Sequence, residues 1–80
     1  MGLAKTEAEI GQRAARFLKA ELKRADVTYE ELAAKLKEHG LPNETKDSIK
    51  AKLLRGSFAA SFMLACLAAL GLPGLSLGDV

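Results

Sequence analysis

The chain has 80 residues, 49% of them apolar and 28% charged, and a formal net charge of +2. A chain of that length holds one domain with a small core, burying roughly 60% of the surface that its unfolded form exposes. The interleaved charges exclude a disordered polyelectrolyte, and a surplus of +2 excludes binding of nucleic acid by bulk charge alone, so any such affinity depends on where the cations sit.

The N-terminus, Met1-Gly2-Leu3-Ala4-Lys5-Thr6, lacks the basic segment, apolar run and small-residue cleavage site of a secretory signal, which predicts a cytoplasmic protein. Met1-Gly2 reads as an ordinary start rather than a myristoylation signal. Apolar residues then recur at helical spacing in four stretches, each bracketed by start and stop signals, so the expected fold is all-α with no strand. The first helix opens at Thr6, where Thr6 and Glu9 have the spacing of a reciprocal capping box, and runs to about Ala25. Ile10, Ala14, Phe17, Leu18, Leu22 and Ala25 are expected on its inner face. Arg13, Arg16, Lys19 and Lys23 fall largely off that face and read as a solvated surface.

Thr28 and Glu31 form a second capping box, with Val27 placed to staple onto Leu32. Leu32, Ala33 and Leu36 line the inner face of this second helix, which Gly40, Leu41 and Pro42 close. His39 falls in its last turn, near the negative end of the helix dipole, and no neighbouring thiol or second histidine suggests a metal. Asn43 or Thr45 can cap the third helix, which turns Ile49 and Leu53 inward and ends at Gly56. Lys46, Lys50, Lys52 and Arg55 outnumber Glu44 and Asp47 along it, a local surplus equal to that of the whole chain.

Ser57 is expected to cap a fourth helix carrying Phe58, Phe62, Met63, Cys66, Leu67 and Leu70, closed by Gly71, Leu72 and Pro73. The uncharged stretch from Phe58 to Leu72 is about fifteen residues, short of the roughly 20 that a bilayer core requires, so it reads as a central helix or one shared with a second copy, and no membrane span is expected. Phe58, Phe62 and Met63 are the candidate dimer contacts. The tail over residues 74–80 reads as loosely ordered, with Leu75 and Leu77 available to fold back onto the domain.

Chemistry-bearing constellations are missing. Cys66 is the sole thiol, which rules out an intramolecular disulfide and leaves a thiolate zinc site without partners; it reads as a small buried apolar residue. His39 is distant in sequence from Cys66, Ser57 and Ser61, and Glu30 and Glu31 read as first-turn acids suited to a helix dipole. The glycines fall singly at helix ends, with no phosphate loop among them. The expectation is a protein that is not an enzyme, with no cofactor, metal or small-molecule substrate.

The segment Thr28-Tyr29-Glu30-Glu31-Leu32-Ala33-Ala34-Lys35-Leu36 resembles the first helix of the motif in the lambda-repressor-like helix-turn-helix family (the Cro and XRE type). Ile49 to Leu53 leading into Arg55-Gly56, and then Leu70-Gly71, are similar to that family's next two helix ends, so the resemblance spans residues 14–72. The segment from Ile49 to Phe58 is also similar to segments in a small bacterial family of uncharacterised proteins, which implies no activity. Three features depart from the helix-turn-helix pattern: a longer connector over residues 37–44, Leu54 in place of an acid, and four-residue spacing between Ile49 and Leu53. The resemblance implies a compact four-helix bundle with a helix-turn-helix core at about 28–56. It also implies a transcription regulator that binds double-stranded DNA, with Tyr29 on phosphate and Thr45, Lys46, Ser48 and Lys50 at the groove-reading end of the third helix. Lys52 and Arg55 complete the expected DNA contacts, and a homodimer would read a two-fold-related site. The alternative expectation is a helical protein-interaction module that binds no DNA, which the acids Glu30, Glu31 and Asp47 near that face would suit.

Overall fold

A computed structural model describes residues 5–80, and within them every regular element is a helix: α1 (Glu7–Ala25), α2 (Tyr29–Lys37), α3 (Lys46–Arg55), α4 (Ala60–Ala69) and a short 3-10 turn, Leu77–Asp79. The start at Met1-Gly2 lies outside the described residues.

The caps follow the sequence with two changes. Thr28 and Glu31 exchange both bonds of the capping box, and so do Thr45 and Ser48, which makes Thr45 rather than Asn43 the cap of α3. At Thr6 only half of the expected box forms. Its hydroxyl accepts from the Glu9 amide at 3.1 Å, but the Glu9 carboxylate takes the Thr6 hydroxyl proton instead of reaching the backbone N–H. Ser57 does not cap α4. Gly56 turns the chain through a left-handed conformation (φ +70°) and Ala59 occupies the cap position without a side-chain bond. The intervening residues bring Phe58 edge-on to Phe62, with ring centroids 5.2 Å apart, a geometry that aromatic pairs favour.

Three helices end in the same way. Asp26, Gly40 and Gly71 take positive φ, and the next residue's N–H donates five positions back: Val27 to Leu22, Leu41 to Leu36 and Leu72 to Leu67, at 2.9, 3.0 and 2.9 Å. The bond satisfies a terminal carbonyl and turns an apolar residue back toward the helix it has just left. Val27 and Leu41 accordingly pack on the core. Glycine tolerates this conformation; Asp26 adopts it at a steric cost.

α3 packs against α1 and α2, α4 packs against α2, and the chain bends by 120° between α3 and α4. Leu18, Leu32, Leu36, Ile49, Leu53 and Cys66 are essentially inaccessible where these helices meet, each large aliphatic side chain contributing about 1.5–3 kcal/mol. No buried residue among those described is polar or charged. The inner face of α1 is largely the expected one, with Ala14 and Phe17 half-buried and Phe17 packed on the core, but it departs at two positions. Ala15, Leu18 and Leu22 are buried, whereas Ile10 is 39% exposed and Ala25 lies on the surface. Gly11 is an interior helical glycine and so an exception to glycines at helix ends. A Cβ there would collide with the Gly56 carbonyl oxygen, so its absence lets α1 settle directly onto the turn that ends α3. Gln12 Nε2 fixes the approach by donating to the Arg55 carbonyl at 3.0 Å.

Leu75 is half-buried and Leu77 is 67% exposed, so of these two leucines only Leu75 is turned inward. Asp79 and Val80 end beside Arg13, Arg16 and Phe17 of α1. No single helix among the described residues is long and apolar enough to cross a membrane.

Candidate nucleic-acid interface

Ile49 and Leu53 anchor α3 in the core, and this anchoring decides what the rest of the helix presents. Lys46, Asp47, Lys50, Ala51, Leu54 and Arg55 are exposed, while Ser48 and Lys52 are half-buried on the remaining flank. Lys46 and Lys50 stand one turn apart and project from the same side. Neither takes part in an ion pair among the described residues, where the pairs are Arg24–Glu21 and Lys52–Glu44. Asp47 is interposed between them on the exposed surface, and Leu54, 73% exposed, lies one turn beyond Lys50.

The other expected contacts have partners within the fold. Thr45 and Ser48 satisfy each other's backbone N–H groups at 3.1 and 2.8 Å, so both hydroxyls already serve the start of α3. Lys52 Nζ lies 3.0 Å from both carboxylate oxygens of Glu44 and 5.6 Å from the centre of the Phe62 ring. Arg55 extends one guanidinium nitrogen to the Ser57 carbonyl at 3.4 Å, a long bond that leaves most of its donors free. Tyr29 is half-buried and packs on the core from the first turn of α2. The structure thus gathers Lys46 and Lys50 on one exposed side of α3, and places Lys52 on another flank and Arg55 at the C-terminal end beside the groove that α1 lines.

Sequence reading missed the cluster of Glu44, Ser48 and Lys52. Glu44 Oε1 accepts the Ser48 hydroxyl at 2.7 Å as well as the Lys52 ammonium, and the Glu44 and Lys52 side chains are only 14% and 27% exposed. Spacing signals only part of it: Ser48 and Lys52 stand one turn apart on α3, whereas Glu44 lies before the extended cap residue Thr45 and reaches them from the connector.

The candidate dimer residues divide between core and surface. Phe62 is 2% exposed and belongs to the core, while Phe58 and Met63 are half-buried at its edge. Phe58 and Met63 also line an open groove of about 610 Å³ with Ile10, Gly11 and Ala14 of α1, and Glu7 and Arg55 supply its charges. Cys66 is 1% exposed, and burial, reinforced by the Glu44 carboxylate, pushes its thiol up to about 12. His39 is exposed in the turn after α2, and no group of three or more metal-binding side chains converges among the described residues.

The chain matches the family described as a domain of unknown function (DUF6471) over residues 2–75, and it belongs to that family. No curated protein and no solved structure matches it. The family description names no activity, so a functional reading has to rest on the side chains themselves.

Proposed function

We propose that this member of the DUF6471 family is a sequence-specific, helix-turn-helix DNA-binding regulator, with α2 as the supporting helix and α3 as the helix that enters the major groove. One observation carries the reading. The exposed side of α3 presents Lys46 and Lys50 a turn apart, unpaired among the described residues, and Arg55 is exposed at the end of the same helix on a different side. Cations so placed reach phosphates and guanine edges, while Thr45 and Ser48 hold the N-terminal turn in shape. The resemblance of residues 28–36 and of Arg55-Gly56 to the lambda-repressor-like family points to the same helix. The reading requires no catalytic group, cofactor or metal and fits a cytoplasmic protein. A homodimer on a two-fold site belongs to the same proposal, with half-buried Phe58 and Met63 and exposed Leu64 as available surface.

Titration of labelled random and genomic duplexes at several salt concentrations tests the reading. Binding should weaken steeply as salt rises, and Lys46→Glu/Lys50→Glu should abolish it while the helical signal persists. Unchanged affinity in that folded variant removes α3 from the interface. A second reading, a protein-interaction module, is favoured by the exposed apolar side chains Leu54 and Leu64 and by Asp47 among the lysines. Absence of any affinity in the parent at low salt would rule out the first reading and leave the second standing.

A further inference from the structure

We propose that Lys52 is a positioning residue and not a DNA contact: by holding Glu44 it fixes the entry into α3. The inference rests on the DNA-binding reading and reassigns one of the cations that the sequence places in the interface. The Thr45 N–H donates to Ser48 Oγ at 2.8 Å, Ser48 Oγ–H donates to Glu44 Oε1 at 2.7 Å, and Lys52 Nζ closes on both Glu44 oxygens at 3.0 Å. The chain of bonds therefore runs from the cap of α3 to its second turn, and Lys52 sits over the ring of Phe62, a core residue of α4.

Geometry and charge both keep Lys52 at this post. Its side chain is 27% exposed and that of Glu44 14%, so a swing of the ammonium toward a phosphate would strand a largely buried carboxylate without compensation. Lys46 and Lys50 bear no such obligation. The tether also decides where those two lysines point, because it braces the first turn of α3 against the connector over residues 38–45 that the turn leaves.

Salt-dependent DNA titrations of the parent, Lys50→Gln, Lys52→Gln and Lys52→Arg separate the roles. Loss of a phosphate contact lowers the magnitude of the log–log salt slope by about one unit, and Lys50→Gln should do this. Lys52→Gln should weaken binding about tenfold, a loss of about 1.4 kcal/mol, with the slope unchanged. Lys52→Arg, whose guanidinium can span the same carboxylate, should restore most of the affinity. A slope lowered by a full unit in Lys52→Gln, or affinity equal to the parent's, overturns the inference while leaving the DNA reading intact. Should Lys52→Gln fail to fold, Glu44→Gln/Lys52→Gln removes both charges, and the same slope criterion decides. A parent without affinity at low salt removes the DNA reading and this inference with it.

Discussion

Replacing Gly11 with alanine reverses the usual effect of that substitution. In an exposed helix interior, glycine to alanine stabilises by about 1 kcal/mol, because glycine gives up more conformational freedom on folding. At position 11 the new methyl group meets the Gly56 carbonyl oxygen, a backbone atom with no rotamer by which to escape. Gly56 cannot yield easily either. Its φ is +70°, its N–H donates to the Lys52 carbonyl at 3.0 Å, and the preceding carbonyl, that of Arg55, accepts from Gln12. α1 must therefore lift off the end of α3. Overpacking of this kind costs about 1–3 kcal/mol, loss of the Gln12 bond adds about 1, and helix propensity returns about 1, leaving a net loss of about 1–3 kcal/mol.

Urea denaturation followed by far-UV circular dichroism measures that loss, with Gly74→Ala as the control. A Cβ at Gly74 meets nothing within 4 Å, so the control should stay within about 0.5 kcal/mol of the parent. Gly11→Ala as stable as the parent, or more stable, would refute the claim that α1 lies directly on the turn at Gly56.

Asp26→Gly should stabilise by about 0.5–1 kcal/mol in the same assay, because the left-handed conformation at φ +58° costs aspartate more than the added flexibility of glycine costs the unfolded chain; a loss of stability would show that the Asp26 side chain contributes more than its strain removes. Thr28→Ala should cost about 1 kcal/mol through the lost cap, and no loss would mean that the capping box at the start of α2 contributes nothing. The Thr28 N–H and hydroxyl also hold the Glu31 carboxyl below its usual 4.5, so the stabilisation from Glu31 is complete above that value and lost as pH falls through the depressed folded-state value. Acid titration of Glu31→Gln against the parent should therefore show a difference that closes at low pH. Cys66 should resist thiol reagents until the protein unfolds. Because its thiol ionises near 9.0 in the unfolded chain and near 12 in the fold, stability should be complete below 9.0 and decline between the two values, a decline that Cys66→Ala abolishes.

The number of helices, most of their ends and much of the core were legible because local rules fix them. A threonine followed three residues later by glutamate, or a glycine followed by leucine and proline, acts within one turn of chain, and Thr28, Gly40 and Gly71 behave as those rules require. Contacts between distant segments were not legible. Gly11 reads locally as a weak point in a helix, and only the arrival of Gly56 explains it. Ser57 has the chemistry of a cap, yet the ring of Phe58 seeks Phe62 and delays the helix. At the site, sequence could count the cations of α3 but not sort them. Lys52 differs from Lys50 because the connector before α3 brings Glu44 to its flank, a contact that charge totals conceal.

That sorting bears on how DNA could be bound at all. With Lys52 committed to Glu44, the free cations of α3 are Lys46, Lys50 and Arg55, and Asp47 lies among them. Three phosphate contacts at most give a salt slope of about −2.7, well short of the slopes near −10 that accompany extensive backbone neutralisation. One copy therefore obtains little affinity from charge, and the net +2 of the whole chain adds no broad attractive field. Two copies on related half-sites double the phosphate contacts and let each α3 read its own bases, so the sparse charge of α3 favours pairing within the DNA reading. The surface left for pairing is uncharged. α4 carries no ionisable side chain except buried Cys66, and Leu64, 65% exposed near its middle, is flanked one turn away on either side by exposed Ala60 and Ala68. A two-fold axis at Leu64 would set each alanine against its opposite number with no charge to desolvate, an arrangement that joins two weak DNA-binding surfaces at little electrostatic cost.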